Sequence, residues 1–141
     1  MKLAVVLAAK GSRVFTVRPE ASIRAAVAEL AANNIGALIV CDEPGAPVGI
    51  ISERDVIRRA NVDDSVLDLT VSDLMTTSVI SGTSNDDLDS VLRTMTDRRF
   101  RHLPVVENGN LVGVISIGDC VKAVIDEQKH EIEDLRRYIA G

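Results

Sequence analysis

The stretch Gly49-Ile50-Ile51-Ser52-Glu53-Arg54-Asp55 recurs 64 residues later as Gly113-Val114-Ile115-Ser116-Ile117-Gly118-Asp119. Each copy reads as a buried strand running directly into the first turn of a helix, with Ser at the junction and Asp three residues on. A hydroxyl and a carboxylate at that spacing form a capping box, Ser at N-cap and the acid at N3. Beside the free N–H groups of a helix start, the same pair also suits a ribose and its phosphate. The two roles are compatible, and both stay open.

Outward from the motif, the two halves of the chain match. Val14-Phe15-Thr16-Val17 predicts a short strand stopped by Arg18-Pro19, and Val79-Ile80-Ser81 predicts its counterpart. Ile23, Ala26, Val27, Leu30 and Ala31 share one helical face, which Leu88, Val91, Leu92 and Met95 reproduce. Ala37 to Cys41 is a continuous apolar run, hence a strand buried on both faces. It turns through residues 43–47 into the first motif, after which Val56, Ile57 and Ala60 predict the buried side of a helix. Leu103-Pro104-Val105-Val106 and Leu111 to Ile115 form the matching hairpin across Asn108-Gly109, which favours a two-residue type I′ turn. The offset is 65 before this turn and 64 after it, so the turn is expected to be one residue shorter than the first. A shared offset over three strands and two helices marks a duplication.

The remaining segments complete the plan. Lys2 to Lys10 predicts a short helix ended by Gly11, and Val71-Ser72-Asp73-Leu74-Met75 opens the second unit. The expected division is a first unit over 1–62, a linker over 63–70, a second unit over 71–126 and a C-terminal amphipathic helix over 127–141. Val121, Ile125, Ile132, Leu135 and Ile139 form a narrow seam on that last stretch, broken by Gln128. Such a seam packs either on its own domain or between two subunits.

Composition removes several function classes. A net charge of −5, no Trp, one Tyr and two Phe leave neither a basic surface nor a stacking platform for nucleic acid. No apolar run approaches the ~20 residues of a membrane span. The apolar run from Leu3 to Ala9 is closed by Lys10, Gly11 and Arg13, unlike a secretory leader. Cys41 and Cys120 stand apart from each other and from His102 and His130, so free thiols in a reducing cytoplasm are expected, and no metal site. Phosphate-binding glycine loops and nucleophile motifs are missing, which argues against an enzyme.

A tandem β-α-β-β-α unit, each ending in Gly-apolar-x-Ser-x-x-Asp, resembles the CBS (cystathionine-β-synthase) domain pair, or Bateman module. The likeness runs roughly from Val5 to Ile125 and includes His102-Leu103-Pro104-Val105-Val106 and Val17-x-Pro19. The chain looks like a stand-alone bacterial member without a catalytic barrel, channel, kinase or transporter. The resemblance implies an α/β (α+β) fold of two repeats packed with pseudo-twofold symmetry, two clefts between them, and a further association into a homodimer. Family members commonly bind adenosine compounds in such clefts: AMP, ADP, ATP, NAD(H) or S-adenosylmethionine.

Carried onto this chain, the resemblance makes Asp55 and Asp119 the ribose acids and Ser52 and Ser116 donors to phosphate or ribose. Arg54 and Arg58, four apart on one helical face, suit a phosphate fork, while the second motif offers Gly118 and few cations. Arg98-Arg99-Phe100-Arg101-His102 precedes Leu103-Pro104, where family members commonly place phosphate-binding residues. One anionic site is therefore expected to join Arg101 and His102 to Ser116 and Asp119, with arginines reaching over from the first motif. For Arg58, Arg59, Arg98 and Arg99 a solvated surface role is the competing reading. Thr16, Val17, Ala37 and Leu38 would line one adenine pocket, and Ile80, Ser81, His102 and Leu103 its twin. The expected function is a non-catalytic adenine-nucleotide sensor serving an effector that the sequence does not name. The charge balance favours phosphorylated ligands over cationic S-adenosylmethionine. The rivals are a structural dimer with empty clefts and, from the family, a regulatory fragment related to inosine-monophosphate dehydrogenase.

Overall fold

Two hairpins anchor the fold, because each joins apolar runs through a turn whose last residue is a glycine in left-handed backbone. The computed structural model describes residues 1–11 and 13–140. β2 (Ala37–Glu43) pairs antiparallel with β3 (Ala46–Ser52), and β4 (His102–Glu107) with β5 (Asn110–Ser116). Ala37 stands opposite Ser52 and His102 opposite Ser116, so the two hairpins share one register. α2 (Ile23–Asn33) and α5 (Leu88–Arg98) precede them, and α3 (Glu53–Ala60) and α6 (Ile117–Ala140) leave them.

Three local expectations change. Both turns are two-residue loops, Pro44-Gly45 and Asn108-Gly109, with positive φ at Gly45, Asn108 and Gly109. The extra residue of the first copy is not in its turn; Asp42 is left out of the ladder as a second irregularity between Cys41 and Glu43. β1 (Thr16–Val17) adds to β2 in parallel, but its counterpart over Val79-Ile80-Ser81 is no strand. It shrinks to a single parallel bridge between Gly82 and Val105, which matches Val17–Val40 in the first copy. A Cβ on Gly82 would lie 2.9 Å from Leu103 Cδ2, so this backbone approaches closer than a side-chain-bearing strand could. On α3, Val56 is half-buried, but Ile57 is 67% exposed and Ala60 also faces solvent. The body meets this eight-residue helix only along its Val56 edge.

The segments that lead into each repeat are exchanged. α1 (Leu3–Lys10) buries Leu3 and Val6 in the second core, with Leu88, Met95, Val105 and Ile115. Val66, in a 3₁₀ turn, and Val71 of α4 (Val71–Leu74) pack instead into the first core, with Ile23, Leu38 and Ile51. Backbone bonds repeat the swap: Leu88 N–H donates to Met1 C=O and Ile23 N–H to Leu69 C=O, each at 2.8 Å. The reciprocal bonds run from Leu3 N–H to Asp86 C=O (2.9 Å) and from Val71 N–H to Ala21 C=O (2.8 Å). Helix starts expose N–H groups that need acceptors, and here each lead-in supplies one to the other repeat's helix. Packing crosses the linear division: α1 packs with the second unit, 66–75 with the first, and residue 126 lies inside α6. Among the described residues no helix is long and apolar enough to cross a membrane.

Candidate functional site

The Ser-x-x-Asp pairs close as capping boxes in both copies. Asp55 Oδ2 accepts from Ser52 N–H (2.9 Å) and Ser52 Oγ–H (3.0 Å), while Ser52 Oγ accepts from Asp55 N–H (3.3 Å). Asp119 Oδ2 accepts from Ser116 N–H (2.9 Å), and Ser116 Oγ from Asp119 N–H (3.1 Å). The copies then diverge. Lys10, delivered by the exchanged α1, donates to Asp119 Oδ2 and to Val114 C=O, each at 2.6 Å. Burial pushes the Asp119 carboxyl up, but the Lys10 ammonium and the Ser116 N–H outweigh it and hold the group below its ordinary range.

That depression carries a sign. A carboxylate with a lowered folded pKa contributes stability above its unfolded value, and loses it as pH falls through the folded one. Lys10→Met is therefore expected to melt below wild type near neutral pH, with the gap closing as Asp119 protonates in acid. Thermal melts from pH 7 down to about pH 2 check this; a gap unchanged across the range would assign the loss to the lysine's packing.

The arginine-bearing segments converge on the first motif. A cleft of about 630 Å³ is lined from the first repeat by Gly36, Ile50 and the run Ser52-Glu53-Arg54-Asp55 with Arg58. Thr76, Ser78, Val79 and Ile80 also line it, together with Arg98-Arg99-Phe100-Arg101-His102 from the second repeat. The volume is that of a small-ligand site. The chain reaches this geometry because Arg99 ends α5 in left-handed backbone (φ 59°), as Asn34 ends α2 (φ 52°). Asn suits that conformation and Arg does not, so the second copy holds strain where it presents its cations. Ile117 N–H donates to Arg101 C=O as Glu53 N–H donates to Gly36 C=O, both at 2.9 Å, so Arg101 stands where the first copy has glycine.

His102 completes the lining. A Cβ on Gly36 would lie 3.4 Å from Glu53 Oε1 and 3.5 Å from His102 Cε1, so the imidazole reaches across to the first repeat. Burial and, after it, the Lys10 charge lower its pKa, against the opposing pull of Glu53 and Asp119. The ring is neutral near pH 7 and offers hydrogen bonds in place of charge.

The cleft takes in only part of the expected grouping. Arg101 and His102 meet Ser52, Arg54, Asp55 and Arg58; Ser116, Gly118 and Asp119 are not in this cleft's lining. His102 still stands opposite Ser116 in its own hairpin and feels the Asp119 charge, so the second motif stays beside these residues although the cleft is lined by the first. Ile80 lines this cleft, and Ile80, Ser81 and Leu103 line a smaller one of about 370 Å³ beside Asp86 and Asp87. Leu38 is fully buried in the first core, and Leu103 and Pro104 are nearly so in the second repeat, so these serve packing. Thr16 is exposed and Val17 and Ala37 are half-buried on the first sheet, away from the larger cleft's lining. Lys10 and Thr76-Ser78 were not legible as site neighbours, because nothing local in their sequence says which motif they approach. Among the described residues no group of three or more His, Cys, Asp or Glu could hold a metal ion.

With this geometry in place, the chain belongs to the CBS domain family, whose pattern matches residues 11–61 and 71–126. It is 32% identical to the CBS domain-containing protein YhcV of Bacillus subtilis over 108 residues, covering 77% of this chain and 76% of that protein. It is 38% identical to the mitochondrial CBS domain-containing protein CBSX3 of Arabidopsis thaliana, covering 82% of this chain and 59% of that longer protein. The crystal structure of the CBS-domain protein ATU1752 from Agrobacterium tumefaciens superposes with a TM-score of 0.84 at 42% identity, over 87% of this chain and 98% of that one. Two further relatives, each 26% identical, carry ligands: CBSX2 with AMP (TM-score 0.72, covering 82% and 90%) and the CBS pair of MJ0100 with 5′-methylthioadenosine and S-adenosylmethionine (TM-score 0.79, covering 90% and 98%).

Proposed function

We propose that this chain is a non-catalytic regulatory module that binds a phosphorylated adenosine ligand (AMP, ADP, ATP or NAD(H)) in the arginine-lined cleft, and that it works as a cytoplasmic homodimer. One observation carries the reading: five arginines, 54, 58, 98, 99 and 101, gather around Ser52 and Asp55, with only Glu53 and Asp55 to offset them. Guanidinium forks suit a phosphate chain, and a carboxylate suits paired ribose hydroxyls. Ile50, Val79, Ile80 and Phe100 supply apolar surface for the base. Relatives solved with AMP and with S-adenosylmethionine support an adenosine ligand in general. Buried free thiols at Cys41 and Cys120 fit a reducing compartment. Because the cleft has walls from both repeats, a ligand that prefers the closed arrangement shifts the pair toward it, and an effector protein reads that shift.

A structural dimer with empty clefts draws on the capping boxes, since both aspartates already serve their own helices. A melting panel with AMP, ADP, ATP, NAD, NADH and S-adenosylmethionine separates the two. At ~100-fold excess over Kd a ligand adds ~2.7 kcal/mol, several degrees for a chain of this size. Phosphorylated ligands are expected to raise the melting temperature and the sulfonium cation to leave it unchanged. No shift with any of them would return the motifs to capping alone, and turnover of a nucleotide would revive the enzyme reading.

A further inference from the structure

α6 is 24 residues long, yet only its first turns touch the body: Cys120 is buried and Ala123 and Val124 are partly buried against the second core. From Ile125 to Ala140 every residue is exposed. The apolar seam lies on a different face from Cys120, Ala123 and Val124, and it is bare: Val121, Ile125, Ile132, Leu135 and Ile139 are 46%, 45%, 50%, 61% and 82% exposed. Their spacing alternates four and three once Gln128 is included, a heptad with Ile125, Ile132 and Ile139 at a and Val121, Gln128 and Leu135 at d.

We propose that this seam is covered by α6 of a second copy of the chain, in a parallel two-stranded coiled coil. Branched Ile at all three a positions, with Leu135 at one d and no Ile at d, suits two strands, and the single polar Gln128 within the seam sets the register. Charge decides the direction. Positions e are all basic, Lys122, Lys129 and Arg136, and an antiparallel pair would set them against one another in every register. A parallel pair instead brings Glu131, at g, beside the partner subunit's Arg136 at e, twice by symmetry. The inference deepens the homodimer of the proposed function by naming its contact and polarity, and does not depend on nucleotide binding.

The test is a cross-link in the full chain. Leu135→Cys places one thiol at d, and the native Cys41 and Cys120 are buried. Mild oxidation is expected to convert most of the variant into a disulfide-linked dimer on a non-reducing gel, with wild type unlinked. In sedimentation equilibrium, Glu131→Lys should weaken the dimer roughly tenfold and Glu131→Lys/Arg136→Glu restore it. A dimer by mass in which Leu135→Cys does not link would mean that another face pairs, and would overturn the proposal. So would linkage only in mixtures of Ile125→Cys with Leu135→Cys chains, which is the antiparallel outcome. A nucleotide panel without shifts, beside an intact cross-link, would sink the ligand reading and leave the coiled coil standing.

Discussion

If the proposed function holds, Asp55→Ala weakens binding of the phosphorylated adenosine ligand that the melting panel selects by about 100-fold, while Asp119→Ala leaves it nearly unchanged. Hydrogen bonds to a charged group are each worth ~1.5–3 kcal/mol, and a ribose offers two hydroxyls to one carboxylate. Losing the pair therefore removes about 3 kcal/mol, or roughly two decades in Kd. Asp55 lines the arginine cleft, and its capping bonds run through Oδ2, so Oδ1 faces no competing donor among those bonds. Asp119 has Lys10 at 2.6 Å and is not in that lining. Both substitutions also remove a cap acid, a loss of ~0.5–2 kcal/mol, and Asp119→Ala in addition strands Lys10, so it should lower the ligand-free melting temperature more than Asp55→Ala does. Calorimetric titration of the two variants separates the effects, since the variant with the larger stability loss, Asp119→Ala, is the one expected to keep its ligand. The reverse result, with Asp119→Ala losing the ligand, would move the site to the second motif and require ligand to displace Lys10.

What could be read from the sequence was whatever is repeated or locally periodic. The existence of the two hairpins, the helical faces at Ile23 and Leu88, and both Ser-x-x-Asp boxes follow from spacing alone, since each depends on residues near in sequence, whereas the irregularity at Asp42 reads in the sequence as a longer turn. The exchange of lead-ins did not. Leu3 and Val6 are apolar whichever core receives them, so periodicity says that α1 is buried on one side and nothing about where. The lost strand at Val79-Ile80-Ser81 has the same origin, because its β-branched residues favour a strand locally while Gly82 is drawn close against Leu103. The cleft's composition was half legible. The arginines at 54, 58 and 101 were singled out by charge and motif, but their assignment to Ser52/Asp55 over Ser116/Asp119 depends on how one repeat faces the other.

The glycines that open the two motifs turn this exchange into a measurable asymmetry. Gly49 and Gly113 are equivalent, and each receives the other repeat's lead-in: Met75 and Thr76 lie over Gly49, and Leu7 over Gly113. A Cβ at 49 would stand 2.9 Å from both Met75 Sδ and the Thr76 carbonyl oxygen. That carbonyl accepts from Ile50 N–H at 3.0 Å and Thr76 N–H donates back to Ile50 C=O at 2.9 Å, so the backbone cannot retreat without breaking the bridge. At 113 the clash is nominally worse, 2.5 Å, but it is with Leu7 Cδ2, the end of a side chain that can change rotamer. Gly49→Ala should therefore cost roughly 3 kcal/mol, the upper end for overpacking, and Gly113→Ala about 1 kcal/mol. At ~2–4 °C per kcal/mol, the first variant melts on the order of 10 °C below wild type and the second only a few degrees. Ile50 and Thr76 also line the arginine cleft, so Gly49→Ala should blunt any nucleotide-induced shift, whereas Gly113→Ala should not. Equal losses in the two variants would mean that the bridge at Thr76 yields as easily as a leucine side chain, and that the lead-in is loosely held against the site it helps to form.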